Sequence, residues 1–156
     1  MNKLNNNELD YVFDVSEKDF ASKIIEASDK KLIIVDFWAP WCGPCKQLTP
    51  VLESIVRKCN GKILLAKINI DENQEIATQL RIQSIPSVFA FKNKQIVNAF
   101  QGVLPETKVV EFIEKVLGEK LEKDNSVFYN EIKELMKTEQ LLKAEDLLEK
   151  FISENT

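Results

Sequence analysis

Apolar runs of strand length alternate with amphipathic stretches along the first 118 residues. Residues 32–38 form the most continuous run, and a run that is apolar on both faces is typical of a strand in the middle of a sheet. Further strands are predicted at residues 11–15, 63–70, 87–92 and 95–101. Asn93-Lys94 separates the last two, which therefore predict an antiparallel hairpin. The turn lacks the usual glycine, so we expect it to be slightly strained or longer than two residues.

Stretches with helical spacing of apolar residues separate these strands. The predicted helices span residues 17–28, 43–59, 71–80 and 105–117. Ser16 is the expected N-cap of the first helix, whose apolar face comprises Phe20, Ile24, Ile25 and Ala27. Pro50 is expected to kink the second helix, and Pro105 to lie in the first turn of the fourth. The order βαβαβαββα predicts one α/β domain over residues 10–118, with a mixed central sheet and helices on both faces.

The two ends of the chain have a different composition. Residues 1–9 are polar and Asn-rich, which indicates a flexible arm. Residues 119–156 carry 10 acidic and 6 basic side chains, whereas the rest of the chain carries 15 of each. Apolar residues recur at helical spacing in this second segment and predict a helical hairpin. A hairpin this short cannot bury its apolar residues alone, so we expect it to dock on the domain, a second copy or a partner.

Composition narrows the possible functions. The chain has no histidine, which excludes every mechanism that depends on imidazole. A net charge of −4 leaves no basic surplus for nucleic acid. No apolar run approaches the roughly 20 residues that span a bilayer, and the N-terminus lacks the features of a secretory signal. We therefore expect neither nucleic acid nor membrane as a partner, and a cytoplasmic location, where a close cysteine pair is more often catalytic or metal-binding than structural.

The sequence Cys42-Gly43-Pro44-Cys45 joins the predicted central strand to the helix after it. The N-terminus of that helix favours the thiolate form of Cys42. Cys45, three residues on, is close enough to form a disulfide with it. Cys42 is expected to attack a substrate disulfide and Cys45 to resolve the mixed intermediate. At this active-site turn, Gly43 is expected to relieve crowding, and Pro44 to fix φ at the helix start.

A zinc half-site is the alternative interpretation of this pair. It requires a second pair of ligands, yet the one other thiol is the isolated Cys59 and no histidine is present. A Cys-x-x-Cys pair beside a βαβ pattern therefore favours redox chemistry. We expect no metal or organic cofactor, the redox group being the Cys42–Cys45 disulfide itself. Cys59 is interpreted as a small apolar side chain, with a regulatory thiol as the alternative.

The residues around the pair resemble the thioredoxin family. The residues concerned are Asp36-Phe37-Trp38-Ala39 before WCGPCK, Lys67-Ile68-Asn69-Ile70-Asp71 at a strand end, Ile85-Pro86 before a strand and Gly102 after the hairpin. They match the family in order and spacing over about 110 residues. The resemblance implies a thioredoxin fold and a protein-disulfide reductase that acts on protein substrates. It also implies a thioredoxin reductase as the partner that supplies electrons.

The same resemblance assigns roles to further residues. Asp36 is expected to be a buried carboxylate with a raised pKa that takes the proton of Cys45, through water. Lys67 is expected near Asp36, where it adjusts the pKa of that carboxyl group; an ordinary surface lysine is the alternative. Pro86 is expected to be cis, so that the Ile85 backbone can pair with an extended substrate peptide. Trp41, Ile85 and Gly102 are expected to form the apolar substrate rim.

A second resemblance extends on both sides of the active site. Residues 47–54, QLTPVLES, and 100–106, FQGVLPE, are similar to the thioredoxin–tetratricopeptide co-chaperones. In that family helical repeats follow the thioredoxin domain, and here residues 119–156 have room for a single repeat. The resemblance implies a redox co-chaperone that contacts a chaperone or an unfolded client through these residues. The alternative function is a non-catalytic binding module or holdase adaptor with a thioredoxin fold.

Overall fold

The computed structural model describes residues 11–121 as a five-stranded sheet flanked by helices. The strands are β1 (Val12–Asp14), β2 (Leu32–Trp38), β3 (Ile63–Asn69), β4 (Ser87–Lys92) and β5 (Gln95–Gln101), in the order β1-β3-β2-β4-β5. The predicted arm at residues 1–9 and nearly all of the predicted hairpin lie outside the described residues.

The sheet is mixed, as predicted. Strands β1 and β2 each pair with β3 in parallel, whereas β4 runs antiparallel to both β2 and β5. Strand β2 is therefore central, and its first six residues are buried. The continuous apolar run in the sequence reflects this position, because a strand covered on both faces needs apolar side chains on both.

Three α-helices follow the sheet strands: α1 (Gly43–Lys58), α2 (Gln74–Gln79) and α3 (Glu106–Leu117). The predicted first helix is present but irregular, with a π-helical stretch at Ala21–Glu26 between short 3-10 turns. Ser16 is the N-cap of its first 3-10 turn, as predicted, but the Ser16 hydroxyl donates to the Asp19 carboxylate at 3.4 Å and makes no cap hydrogen bond to the backbone. None of the helices within residues 11–121 is long and apolar enough to cross a membrane.

Two helices begin later than their sequences predict. Helix α2 begins at Gln74 because the Asn69 side chain first closes a turn, accepting a hydrogen bond from the Asp71 N–H at 2.9 Å. Helix α3 begins at Glu106, so Pro105 is its N-cap and not part of its first turn. The Pro105 carbonyl accepts from the amides of the first helical turn, which fits a residue without an N–H at that place.

The alternation along β2 divides the core into two layers. Leu32 and Ile34 pack beneath α1 and α3, whereas Ile33, Val35 and Phe37 pack against the irregular helix and α2. Helices therefore cover both faces, as predicted. By the same alternation Asp36 lies on the face beneath α1, where its neighbours on β2 are apolar.

The β4–β5 turn has two residues. Lys92 pairs with Gln95, so only Asn93 and Lys94 lie between the strands, and both have positive φ, 53° and 65°. The expected strain is present and the longer-loop alternative is wrong. Ser28 holds the turn: its carbonyl accepts from the Asn93 N–H at 2.9 Å and its hydroxyl from the Lys94 N–H at 2.8 Å.

The domain packs up to Leu121, slightly beyond the predicted boundary at residue 118. Gly118 ends α3 with a φ of 80°. The Leu121 N–H then donates to the Glu114 carboxylate at 2.8 Å, and its side chain packs against the core beneath α1 and α3. Glu119 pairs with Lys62.

Candidate active site

Cys42 and Cys45 form a disulfide at the N-terminus of α1. Their Cα atoms are 5.3 Å apart, within the usual range for a disulfide. Cys42 is the N-cap of the helix, and its Sγ accepts a hydrogen bond from the Cys45 N–H at 3.2 Å. In the reduced protein the same N–H and the positive end of the helix favour a thiolate on Cys42.

The disulfide is largely enclosed. Cys42 is 3% exposed and Cys45 2% exposed, and they pack with Ala39, Trp38 and Ile85. Pro44 lies in the first turn of α1, as predicted. Apart from the adjoining residues and the backbone of its own helix, a Cβ at Gly43 would meet no atom within 4 Å, so any crowding that Gly43 relieves would lie within the turn itself.

The residues expected to form the substrate rim lie in the loops beside the disulfide. Trp41 is 67% exposed, and its indole N–H donates to the Asp71 carboxylate at 3.0 and 3.2 Å. Ile85 packs against the disulfide, and the Ile85–Pro86 peptide bond is cis, as predicted. The Gly102 N–H donates to the Pro86 carbonyl at 2.8 Å, which ties the end of β5 to the cis-proline loop.

Asp36 is fully buried beneath α1. Its Oδ2 accepts a hydrogen bond from the Thr49 hydroxyl at 2.7 Å, whereas Oδ1 has no partner within the described chain. Burial raises the pKa of Asp36 to about 6, against the opposing effects of the Thr49 hydrogen bond and of the Lys67 charge. The prediction of a buried carboxylate with a raised pKa is confirmed.

Lys67 is the register partner of Asp36 across β2 and β3. Its ammonium pairs with the Glu53 carboxylate at 3.0 Å, and Glu53 also lies 3.6 Å from Arg57. Lys67 lowers the pKa of Asp36 through its charge, and Glu53 raises it. Lys67 is therefore near Asp36 as predicted, but its direct ion pair is with Glu53.

A cavity of about 270 Å³ opens beside Cys45 and Lys67. Its lining residues are Trp38, Ala39, Pro40, Cys45, Lys46, Thr49, Pro50 and Lys67. A cavity of this size admits water, and Thr49, which bonds Asp36, shares its wall with Cys45. The cavity therefore reaches both Cys45 and Thr49, the hydrogen-bond partner of Asp36.

Three residues that make contacts in this region were not identified from the sequence: Thr49, Glu53 and Asp71. Thr49 and Glu53 follow Cys45 at intervals of four residues, so all three share one face of α1. That spacing was a usable signal once Cys45 was assigned to a helix. No pattern in the sequence indicates that Asp71 accepts from Trp41.

Cys59 does not join the active-site cysteines. It is free and buried in the core layer beneath α1 and α3, and burial raises the pKa of its thiol. Within residues 11–121 no group of three Cys, Asp or Glu side chains is arranged to hold a metal ion. The expected small apolar role of Cys59 fits this packing.

Comparison with known proteins gives the family of the chain. The Thioredoxin family model matches residues 11–115. The probable thioredoxin-2 of Caenorhabditis elegans is 48% identical over 108 residues, which cover 69% of this chain and 73% of that protein. The thioredoxin of Chlorobaculum thiosulfatiphilum is 39% identical over 106 residues, covering 68% and 96% respectively. Since the matched region contains the whole sheet and the Cys42–Cys45 disulfide, the chain belongs to the thioredoxin family of protein-disulfide reductases.

Proposed function

We propose that reduction of substrate proteins proceeds by two thiol–disulfide exchanges at this pair. The Cys42 thiolate attacks one sulfur of a substrate disulfide, and the other substrate sulfur leaves as a thiolate. Cys45 then attacks Sγ of Cys42, releasing the second substrate thiol and closing the Cys42–Cys45 disulfide. The observation that carries this proposal is the position of the disulfide at the N-terminus of α1, where the Cys45 N–H bonds the Cys42 sulfur.

Asp36 is the proposed base for the second exchange. Cys45 must lose its proton before it can attack, and a carboxyl group with a pKa of about 6 is ionised yet basic enough to accept a proton near neutral pH. Lys67 acts on this group through its charge. The cavity that Cys45 and Thr49 line supports a route through water.

Substrate peptides are proposed to bind across Trp41, Ile85, Pro86 and Gly102. The Ile85 backbone N–H and C=O make no hydrogen bond within residues 11–121, so both are free to pair with an extended peptide. The cis bond to Pro86 and the hydrogen bond from Gly102 support a fixed position for this loop. The exposed Trp41 ring supplies apolar area next to Cys42.

A thioredoxin reductase is the proposed electron donor, and the cytoplasm the proposed compartment. A reductase pair must be returned to the dithiol after each cycle, which a reducing compartment favours. The proposed cycle uses no metal or organic cofactor, because the two electrons move between sulfur atoms.

The test is insulin-disulfide reduction with dithiothreitol or a thioredoxin reductase as donor. Cys42→Ser is expected to abolish turnover, because no nucleophile remains for the first exchange. Cys45→Ser is expected to accumulate mixed disulfides, visible as adducts that dithiothreitol removes. Cys59→Ser is the matched control, since Cys59 lies in another part of the core. An intact protein that is inert with both donors, or Cys42→Ser that still turns over, would refute the proposal.

Residues 119–156 are proposed to make the chain a redox co-chaperone. Their amphipathic pattern and the similarity of residues 47–54 and 100–106 to thioredoxin–tetratricopeptide co-chaperones support this. In this proposal the segment binds a chaperone or an unfolding client and brings its disulfides to Cys42. Aggregation of a client protein, with and without the segment, tests this.

A further inference from the structure

Within residues 11–121 the Asp36 carboxylate accepts one hydrogen bond, from the hydroxyl of Thr49. The carboxylate is fully buried, and its Oδ2 lies 2.7 Å from Thr49 Oγ1. Its Oδ1 has no partner within residues 11–121. A buried carboxylate with a single donor depends heavily on that donor, because burial otherwise favours the neutral acid.

Thr49 occupies a position that is unfavourable for a helix residue. It is β-branched, and it precedes Pro50, which disfavours helical backbone at the residue before it. A helical threonine commonly bonds back to the carbonyl four residues earlier. The Thr49 hydroxyl instead reaches across to the sheet and bonds Asp36. The Thr49 hydroxyl therefore stabilises the Asp36 carboxylate and not the backbone of its own helix.

The other charged groups around Asp36 act without touching it. Lys67 on β3 and Glu53 on α1 have opposite effects on its ionisation and pair with each other at 3.0 Å. Lys46 lines the neighbouring cavity, and on β4 the register partner of Asp36 is the apolar Val88. Thr49 is thus the group that fixes the orientation of the carboxylate, because it holds Oδ2 and leaves Oδ1 free.

We propose that Thr49 is a positioning residue for the resolving step: its hydroxyl holds Asp36 ionised, with Oδ1 directed to receive the proton of Cys45. This inference rests on the proposed role of Asp36 as the base. In the step, the Cys45 proton passes to Oδ1 and the Cys45 sulfur bonds to Sγ of Cys42. The bond from Cys42 to the substrate breaks, and the substrate thiolate takes a proton from water. The cysteine pair is oxidised and the substrate is reduced.

The experiment separates the two exchanges with an aromatic disulfide that releases one coloured thiol per step. Mixed rapidly with the reduced full-length protein, it reports attack by Cys42 as the first release and resolution by Cys45 as the second. Thr49→Val removes the hydroxyl and keeps the shape, whereas Thr49→Ser keeps the hydroxyl. Thr78→Val is the matched control, since the Thr78 hydroxyl bonds only its own helix at the Gln74 carbonyl. The titration midpoint of Asp36 is followed by NMR of its carboxyl carbon.

Thr49→Val is expected to raise the Asp36 midpoint by about one pH unit, a tenfold change in its ionisation constant. The second release is expected to slow about two- to fivefold at about pH 6 and little above about pH 8, where Asp36 is ionised in both proteins. The first release is expected to stay unchanged. Thr49→Ser is expected to restore the wild-type profile.

Two results would overturn the inference. One is a second-release profile in Thr49→Val that coincides with those of the wild type and Thr78→Val. The other is equal slowing of both releases at every pH, which indicates general disturbance of α1. Asp36→Asn distinguishes this failure from failure of the proposed function. If Asp36→Asn slows the second release and Thr49→Val does not, only the role of Thr49 is wrong; if Asp36→Asn has no effect, the role of Asp36 is wrong.

Discussion

Asp36 occupies a position on β2 where the strand's alternation places apolar side chains. A carboxylate there is costly, because burial removes water from a charged group and returns one hydrogen bond from Thr49. Because burial disfavours the charged form, the pKa of Asp36 is raised to about 6. The same shift suits the group to its proposed role as a base near neutral pH, so that proposed role and the destabilising effect of Asp36 have one physical origin.

Replacing Asp36 is therefore expected to stabilise the protein in a pH-dependent way. The folded-state pKa of this acid lies above its unfolded value of 3.8, so the folded state binds more protons between the two values. Stability from this group is present at low pH and is lost as pH rises toward about 6. The gain in unfolding free energy in Asp36→Asn is expected to be about 2 kcal/mol larger at about pH 8 than at about pH 4.

Urea unfolding of the oxidised wild type and of Asp36→Asn at both pH values measures this difference. Asp71→Asn is the control, because the exposed Asp71 carboxylate has no comparable burial. A gain that is independent of pH would contradict an ionised, buried Asp36.

Single residues differ in how well the sequence predicts them. The cis bond at Pro86 and the burial of Asp36 were both expected from the family resemblance. Thr49 and Glu53 were missed because their roles depend on how α1 lies over β2 and β3. Neither residue has a signature of its own, and the geometry of the helix on the sheet is set by packing of the whole layer.

At the scale of an element, α1 places two side chains over one cross-strand pair. Thr49 and Glu53 are one helical turn apart, and they bond Asp36 and Lys67 respectively. These contacts have opposite effects: the Thr49 hydrogen bond lowers the pKa of Asp36, whereas the Glu53 charge raises it.

Glu53→Gln is consequently expected to shift the Asp36 titration opposite to Thr49→Val. Removing the negative charge leaves Lys67 uncompensated, so the Asp36 midpoint falls and the pH profile of the second release moves to lower pH. The shift is expected to be smaller than that of Thr49→Val, because Glu53 has the weakest of these effects. Glu111→Gln, which removes an exposed pair with Lys108, is the control. A midpoint that rises in Glu53→Gln would contradict this account.

In the β4–β5 turn the backbone adopts a conformation that its residue types disfavour. Lys94 adopts a φ of 65°, where a Cβ is crowded and glycine is not. Lys94→Gly is expected to be about 1 kcal/mol more stable than Lys94→Ala in urea unfolding. Both substitutions remove the ion pair with Asp29 and keep the backbone hydrogen bond to Ser28, so their difference isolates the backbone. Equal stability of the two variants would show that the turn carries no such strain.

The type of each helix or strand was predicted better than the residues at which it begins. The five strands follow directly from the apolar runs, because burial on one or both faces is visible as periodicity. Helix α2 begins later than predicted because the Asn69 side chain first closes a turn, and helix α3 begins one residue later because Pro105 is its N-cap. The irregular helix at Ala21–Glu26 has no sequence signal beyond its apolar spacing, which places Phe20 and Ile24 in the core against the sheet.

At the scale of the whole molecule, the chemistry and the net charge lie in different parts of the chain. Every residue of the proposed site lies between Asp36 and Gly102. These positions fall within residues 1–118, which as a whole carry no net charge. The core that supports this site extends to Leu121. A chain ending at Leu121 therefore keeps every described contact of the site, whereas an end at Leu117 removes the contacts of Glu119 and Leu121.

The proposed co-chaperone role predicts how the chain that ends at Leu121 behaves. Insulin reduction is expected to stay unchanged, and the unfolding temperature to remain within about 2 °C of the full-length value. Suppression of client aggregation is expected to be lost. The full-length chain with both Cys42→Ser and Cys45→Ser is expected to keep suppression without reductase activity, since client binding does not need the thiols. A large fall in unfolding temperature with unchanged suppression would instead assign the segment a structural role, as a brace for the domain, and refute the adaptor.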